Sequence, residues 1–306
     1  MRQIFGMVIV AFLLVGCSGK MVYESAVDLG RYQSDLTLKR TTIDNGLTVA
    51  YLENGVKSSK TLVLLHGFSA NKDNWLKLAK ELNGKYHLII PDLIGNADSS
   101  KPTNIDYSVA NQTELLQQFL VKFKDKNMVL VGNSMGGAIA LKYASKYKID
   151  SLILLDSMGL QVEESYVDKV GLDKAKKVYL NVCSTKKMKK IIDIAYEKSP
   201  YIPNIVLEYL TDIKCKESNL DAYKYSFIID NKLQVKENLS HKSKSIKIPT
   251  LIIWGNKDKI ISVQNAYVLH KNIKNSKLII FDNIGHMPMI EDAKLTASSI
   301  ERFLEE

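Results

Sequence analysis

The chain has 306 residues, of which 46% are hydrophobic, 25% charged and 8% aromatic, and it contains three cysteines. This composition is that of a globular protein, which excludes a disordered, collagen-like or low-complexity chain, and three cysteines are too few for a disulfide-stapled scaffold. The formal charge of +9 would suit a nucleic-acid binder or a protein of the membrane surface.

The N-terminus has the pattern of a secretory signal. A basic start at residues 1–3 precedes an uncharged stretch at 4–15, which is shorter than the ~20 apolar residues of a membrane span and has the length of a signal-peptide core. Leu14–Cys17 resembles the lipobox of bacterial lipoproteins. That resemblance implies removal of residues 1–16 and a lipid on the Cys17 thiol. The alternative is a plain signal peptide with a chance cysteine.

The lipoprotein resemblance also implies a location. The chain would be lipid-anchored in the bacterial cell envelope, with its active domain periplasmic or surface-exposed. Ser18 stands where an Asp would resemble an inner-membrane retention signal, so the outer membrane is favoured.

Strands and helices alternate after a polar segment at 17–38, which we predict to be a tether or a short amphipathic helix. Asn45–Gly46 predicts a hairpin turn before the first of these strands. The predicted strands are 47–52, 61–65, 88–90, 128–131, 152–155, 251–253 and 278–281. The predicted helices are 75–82, 108–124, 135–147, 263–273 and 289–306. This alternation predicts an α/β protein whose mostly parallel sheet is covered on both sides by helices.

The alternation stops between residues 157 and 248, where helical runs such as 178–196 occur without strands. We predict a helical cap inserted between the strands at 152–155 and 251–253, which would be strands 6 and 7 of the complete sheet, with 39–156 and 249–306 forming the core. The cap segment contains 17 Lys, no Arg and 12 acidic residues, so +5 of the total charge lies there. It also contains Cys183 and Cys215, and their spacing leaves open whether they are bonded.

A nucleophile is predicted in the turn Gly132–Gly137. A buried strand leads directly into G-x-S-x-G there, and a helix follows, which is the context that this motif requires. The strained turn would present Ser134 Oγ above the sheet, at a helix end that favours negative charge, and Gly132 and Gly136 leave room for the turn. The alternative is a glycine-rich turn with an incidental serine.

A serine hydroxyl needs a base, and the base needs an acid to orient it. Of the five histidines, His286 combines a late position with a loop after a strand, at the edge where sites form in open α/β sheets. The acid should lie between Ser134 and His286 in the chain. Asp258, after a late strand, is preferred, and Asp156, at the end of the strand before the cap, is the rival.

An oxyanion hole needs two backbone N–H groups. Met135 follows the nucleophile and supplies one. Phe68 supplies the other from the loop after strand 61–65, where Gly67 lets the backbone approach closely. His66 is predicted to order this loop rather than to act as a base.

With these motifs, residues 39–303 resemble the α/β-hydrolase superfamily. Four stretches resemble lipases and monoacylglycerol lipases of that fold, namely 65–75, 132–137, 253–258 and 285–288. The resemblance implies hydrolysis of carboxylic esters, often acylglycerols, by a Ser–His–Asp triad without a cofactor or metal. The loop at 91–99 departs from the family pattern, because Ile94 replaces a proline and Ala97 replaces a glycine.

Other functions of the same scaffold remain open. Aminopeptidases and carbon–carbon bond hydrolases keep the serine, and an anchored binding protein could keep the scaffold without activity. Ser134 argues against dehalogenases and epoxide hydrolases, which place Asp there.

The expected partners are a small-molecule or lipid ester and, through Cys17, a membrane. The oligomeric state is left open. Nucleic acid is not expected, since the basic residues are spread along the chain without a binding motif. A solvated lysine face is the default explanation of the positive charge, and a cap that faces anionic lipid headgroups is the more specific alternative.

Overall fold

The structure is a computed structural model of the chain. It describes residues 18–44, 46–123, 127–160, 180–229 and 236–306. The predicted signal peptide, Cys17 and Asn45 of the predicted hairpin turn lie outside the described residues.

An eight-stranded sheet forms the centre of the described chain. Its strands are β1 (Leu36–Thr42), β2 (Thr48–Asn54), β3 (Lys60–Leu65), β4 (His87–Pro91), β5 (Asn127–Asn133), β6 (Ser151–Leu155), β7 (Thr250–Gly255) and β8 (Ser276–Phe281). The spatial order is β1-β2-β4-β3-β5-β6-β7-β8. β1 and β2 pair antiparallel, as do β2 and β4, and all other neighbours are parallel. The predicted mostly parallel sheet is therefore confirmed.

Helices connect the strands and cover both faces of the sheet. They are α1 (Gly19–Gln33), α2 (Leu76–Leu82), α3 (Val109–Leu120), α4 (Met135–Ala144), α5 (Thr185–Ala195), α6 (Asn204–Ile228), α7 (Ser240–Ser245), α8 (Gln264–Asn272), α9 (Pro288–Glu291) and α10 (Ala293–Glu305). Short 3₁₀ turns lie at Lys72–Trp75 and Val121–Phe123.

The core consists of two apolar layers, one on each face of the sheet. Side chains alternate along a strand, so Val63 and Leu65 of β3 pack in one layer, with residues of α3, α4 and α8. Leu62 and Leu64 pack in the other layer, with residues of α2 and α10. A continuous apolar strand is thus buried on both faces, which is the pattern that predicted these strands.

Some predicted helix ends were wrong. α4 ends at Ala144 rather than at residue 147. Of the run predicted at 178–196, residues 178–179 lie outside the described residues, and α5 begins only at Thr185. The Ser184 hydroxyl accepts the Lys187 amide and caps the helix there. The predicted C-terminal helix is divided at Asp292, whose side chain caps α10.

The segment between β6 and β7 contributes α5, α6 and α7. A disulfide joins Cys183, just before α5, to Cys215 on α6. A small apolar cluster of Val182, Met188 and Leu207 packs beside it. The sequence had left this pairing open, and the fold brings the two Cα atoms to 4.6 Å.

Of the two structures predicted for the polar N-terminal segment, the structure has a helix, α1, which ends at Gln33, and the last residues of the segment belong to β1. At the start of α1, Gly19 lies against the Ile205 carbonyl of α6, and the ring centroids of Tyr23 and Tyr209 are 5.8 Å apart. At its end, the Arg31 guanidinium donates to both oxygens of Asp73 at 2.9 and 2.8 Å. The helix α1 therefore contacts both the cap segment and the core.

Among the residues that the structure describes, none of the helices has both the length and the hydropathy that a bilayer span requires.

Candidate active site

Ser134 lies in a strained turn between β5 and α4. Its φ of 55° and ψ of −121° fall in a region that residues with a side chain rarely adopt. A Cβ on Gly132 would lie 2.3 Å from the Gly136 carbonyl oxygen, and one on Gly136 would lie 2.2 Å from that of Leu65. Only glycine fits at these two positions, so the turn can pass close to β3.

Neighbouring strands and loops hold this turn in place. The Ser134 amide donates to the Leu155 carbonyl of β6 at 3.1 Å, and the Ser134 carbonyl accepts the Met158 amide at 2.9 Å. Gly67 packs directly against the serine, since a Cβ there would lie 3.1 Å from Ser134 Cβ. The loop that follows β3 is thereby brought to the predicted nucleophile.

His286 and Asp258 form a buried hydrogen-bonded pair. His286 Nδ1 lies 2.7 Å from Asp258 Oδ2, and because a carboxylate only accepts, Nδ1 donates and Nε2 is left with a lone pair. The other oxygen, Asp258 Oδ1, accepts the amides of Ile260 and Ile261 at 2.7 and 3.0 Å. Both oxygens are therefore held, and the imidazole is fixed in one tautomer and orientation. Within the described residues, no hydrogen bond joins the Ser134 hydroxyl to His286.

Asp156 lies in the same buried group but bonds elsewhere. Its Oδ1 accepts the Gly255 amide at 3.0 Å. Burial raises the pKa of Asp156 well above its usual value, and the neighbouring Asp258 raises it further. The structure thus places Asp258 against His286, and Asp156 behind them.

In the described ranges, one group of side chains has ligand atoms close enough together to hold a cation. It consists of Asp156, Asp258 and His286, whose ligand atoms all lie within 4.8 Å of one another. The 2.7 Å between His286 Nδ1 and Asp258 Oδ2 is a direct hydrogen bond, and it leaves no space for an ion between these two ligand atoms. Their arrangement suits the orientation of an imidazole base better than metal binding.

The two predicted oxyanion donors belong to the helix that follows the serine and to the loop that packs against it. Met135 is the first residue of α4, where an amide has no partner within the helix. Phe68 follows Gly67 in the loop after β3, and its ring packs edge-on to Tyr225 of α6 at 5.8 Å.

His66 orders the loop next to the site. Its Nδ1 donates to the Gly67 carbonyl at 2.8 Å, and its Nε2 accepts the Leu93 amide at 3.0 Å. Burial lowers the pKa of His66 to about 3, so the ring is neutral and joins the loops that contain Phe68 and Leu93.

The divergent loop at 91–99 keeps a compact form. Ala97, where the family pattern has a glycine, adopts φ 39°, and Gly95 adopts φ 93°. Beneath them, buried Lys72 donates to Asp92 at 2.8 Å and to Asp98 at 2.6 Å. These ion pairs fix the loop although Ala97 is in a conformation that glycine tolerates better.

The sequence did not identify Asn133 as a residue of the site. Its Nδ2 donates to the backbone carbonyls of His286 at 3.1 Å and Leu155 at 3.2 Å, and so joins the serine turn to the histidine loop. It occupies the variable position before the motif's serine, where no sequence pattern marks a role.

The sequence also did not identify Glu291 as a residue that supports the site. Its Oε1 accepts the Gly285 amide at 2.9 Å, and its Oε2 accepts the amides of Glu197 and Lys198 at 2.9 and 3.1 Å. The His286 amide itself donates to the Ala195 carbonyl at the end of α5. The histidine loop is thus bonded to the cap segment.

Comparison with known proteins shows the family to which the chain belongs. A family model described as "alpha/beta hydrolase fold" matches residues 60–293. The chain is 36% identical to Lipase 1 of Psychrobacter immobilis, over 92% of this chain and 88% of that protein. It is 31% identical to human monoacylglycerol lipase ABHD6, over 80% of this chain and 75% of that protein.

Two solved structures are similar over most of their length. A bacterial membrane phospholipase A, described as a virulence factor, has a TM-score of 0.87 and 30% identity and covers 99% of this chain and 98% of its own. A putative lipase from Acinetobacter baumannii has a TM-score of 0.84 and 31% identity, with 92% and 95% covered.

Proposed function

The chain belongs to the alpha/beta hydrolase fold family and is an ester-hydrolysing enzyme of it, and from that premise we propose that it cleaves lipid esters of the acylglycerol class through Ser134, His286 and Asp258. The observation that supports these residues most directly is the buried 2.7 Å pair of His286 and Asp258, next to a serine in a strained strand-to-helix turn. The names of two relatives support the substrate class, namely Lipase 1 of Psychrobacter immobilis and human monoacylglycerol lipase ABHD6.

The proposed reaction is acyl transfer in two steps. Ser134 Oγ attacks the ester carbonyl while His286 Nε2 takes its proton, and the alcohol leaves with that proton. Water, activated by His286, then attacks the acyl-enzyme and releases the fatty acid. Asp258 accepts from Nδ1 and stabilises the imidazolium in both steps.

The Phe68 and Met135 amides would bind the oxyanion that forms in each step. Loss of one such donor costs about 10²–10³ in rate, so the position of the Phe68 loop has a strong effect on the rate. The start of α4 adds a favourable field for negative charge.

The test combines covalent labelling with a hydrolysis series. Wild type should be labelled by a fluorophosphonate probe and should hydrolyse p-nitrophenyl esters and acylglycerols, whereas Ser134→Ala should do neither. Comparing short and long acyl chains, and mono- with triacylglycerols, then defines the substrate. An unlabelled wild type, or equal labelling of Ser134→Ala, would contradict the proposal.

We also propose that a lipid on Cys17 holds the enzyme at the bacterial envelope, in the outer membrane. The lipobox supports the lipid, and a membrane phospholipase among the similar structures supports membrane association. Ser18, the next residue, caps α1 by accepting the Met21 amide, and α1 packs on α6. The described chain therefore begins next to the cap segment.

Mass spectrometry of the native N-terminal peptide tests the lipid. Cys17→Ser should appear in the soluble fraction with its esterase activity intact. An unmodified Cys17 in the cleaved native protein would refute the anchor, and recovery with inner-membrane markers in a density gradient would refute the outer-membrane location.

A further inference from the structure

Helix α6 directs three charged side chains toward the core. Lys214, Asp221 and Lys224 are seven and three residues apart, a spacing that places them on one face of a helix. Asp221 is only 3% exposed and Lys224 only 4%, which is unusual for charged residues. Asp221 Oδ1 pairs with Lys224 Nζ at 2.7 Å, and Asp221 Oδ2 lies 3.3 Å from Lys214 Nζ.

This charged group bonds the residue that follows the proposed oxyanion donor Phe68. Ser69 has a φ of 55°, a left-handed conformation that a serine adopts only when its surroundings impose it. Its hydroxyl donates to Asp221 Oδ2 and accepts from Lys214 Nζ. Lys214 Nζ also donates to the Ser69 carbonyl at 2.7 Å. Both the backbone and the side chain of Ser69 are therefore bound by α6.

Lys224 extends the group to the second loop beside the site. Its Nζ donates to the Gly95 carbonyl at 3.0 Å and to Asn96 Oδ1 at 2.9 Å. The same ammonium lies 5.7 Å from the centroid of the Phe68 ring, within the range of a cation–π contact. One buried lysine thus contacts both loops and the ring of Phe68.

Stability does not explain these buried charges well. Taking an ion pair out of water costs several kcal/mol per ion, and apolar residues of the same volume are often as stable or more so. Burial alone would raise the pKa of Asp221, yet Lys214 and Lys224 hold it below its usual value, so Asp221 is charged near neutral pH. What the charges provide is a defined geometry, with hydrogen bonds of fixed direction to Ser69.

We propose that Lys214, Asp221 and Lys224 are positioning residues that hold the Phe68 amide in the oxyanion hole, so that this hole is complete only while α6 is docked on the core. The inference rests on the proposed function at one point, the role of Phe68 as an oxyanion donor. It adds that the cap segment controls the rate of the chemical step.

Two variants test this role. Asp221→Asn removes the charge that organises the group, and Ser69→Ala removes the hydroxyl while leaving the ion pairs intact. Asp212→Asn, an exposed acid on the same helix, is the matched control. We expect kcat on a soluble p-nitrophenyl ester to fall about 10–100-fold in Asp221→Asn and by a smaller factor in Ser69→Ala, with KM nearly unchanged, because an oxyanion donor acts mainly in the transition state.

Inhibitor binding separates positioning from a merely structural role. An alkylboronic acid, which forms a tetrahedral adduct with the serine and occupies the oxyanion hole, should bind more weakly in both variants by a factor that parallels kcat. An alkyl ether of the same chain length, which forms no oxyanion, should bind as in wild type. The pH profile of kcat should keep its shape, because His286 and Asp258 are untouched.

The outcomes are distinguishable from failure of the proposed function, which would appear as an inactive or unlabelled wild type. If wild type is active and both variants match Asp212→Asn in kcat and boronate affinity, the inference is wrong. It is equally wrong if boronate and ether affinities fall together. Should Asp221→Asn not fold, Ser69→Ala decides by the same criteria.

Discussion

Asp156 and Asp258 lie side by side beneath His286, and the imidazole Nδ1 is bonded to Asp258 at 2.7 Å while Asp156 bonds the Gly255 amide at 3.0 Å. With both carboxyls ionised, Asp156 Oδ2 is buried without a hydrogen-bond partner. A proton on that oxygen, donated to Asp258, would satisfy it, in agreement with the raised pKa of Asp156.

The first prediction follows from this division of roles. Asp258→Asn should lower kcat/KM by about 10⁴, since an amide favours the wrong imidazole tautomer and cannot stabilise the imidazolium. Asp156→Asn should stay within a few-fold of wild type, because its amide can accept from Gly255 and donate to Asp258. Steady-state hydrolysis of a p-nitrophenyl ester measures both. The reverse order of effects would make Asp156 the acid.

The second prediction concerns acid stability through His66. Its folded pKa is about 3 and its ordinary value is 6.5, so the stability that depends on neutral His66 is complete above pH 6.5. As the pH falls below that value, His66 binds a proton in the unfolded chain but stays neutral in the folded chain. The free energy of unfolding should therefore fall by about 1.4 kcal/mol per pH unit from this residue alone, down to about pH 3.

Urea unfolding of wild type and His66→Gln between pH 7 and pH 4 checks this. The variant should be less stable at pH 7. The slope of its unfolding free energy against pH should be shallower than that of wild type by the contribution of one proton. His241→Gln, at an exposed position, serves as the control and should keep the wild-type slope. Identical slopes in wild type and His66→Gln would mean that His66 is protonated in the folded state.

The third prediction concerns Glu291, which bonds the histidine loop to the cap segment. Glu291→Ala leaves the amides of Gly285, Glu197 and Lys198 without their acceptor, at a cost of about 1–3 kcal/mol in unfolding free energy. Loss of the carboxylate also loosens His286, so kcat should fall. Thermal unfolding and ester hydrolysis measure the two effects. Unchanged kcat in a destabilised variant would restrict Glu291 to a structural role.

The sequence predicted the parts of the molecule that depend on neighbours in the chain. The strand at 251–253 was predictable because a continuous apolar run fits a strand buried on both faces. The serine turn was predictable because strand, glycines and helix follow one another directly. The chain order of Ser134, Asp258 and His286 was also predicted. In the structure, Asp258 and His286 form a hydrogen-bonded pair.

Contacts between residues far apart in the chain could not be predicted. Ser69 and Asp221 are 152 residues apart, and Asp221 lies in the cap segment, outside the four stretches that resemble lipases. The disulfide depended on how α6 lies beside the start of α5. Helix ends were missed where one side chain, such as that of Ser184, decides the boundary.

The fourth prediction concerns the contact between α1 and α6. A Cβ on Gly19 would lie 2.0 Å from the Ile205 carbonyl oxygen, whereas nothing lies within 4 Å of one on Gly55. Gly19→Ala should therefore displace the start of α1, lower the melting temperature and expose the cap segment to limited proteolysis. Gly55→Ala should leave both unchanged. Equal protease resistance of the two variants would mean that this contact does not hold the cap.

The last prediction concerns the disulfide of Cys183 and Cys215, which closes a loop of 32 residues within the cap segment. In the chain-entropy account, a loop of that length contributes about 3–4 kcal/mol by restricting the unfolded chain. The double variant Cys183→Ser/Cys215→Ser should therefore melt at a lower temperature and lose activity on heating before wild type does.

At 25 °C the double variant should keep most of its activity on short esters, because the bond lies outside the triad. Reductant should lower the melting temperature of wild type and leave that of the double variant unchanged, which separates the bond from the substitutions. Peptide mapping of the envelope fraction without reductant should recover the linked pair. Two alkylatable thiols at these positions in the native protein would show that the cap is held by its packing and by the α6 ion pairs alone.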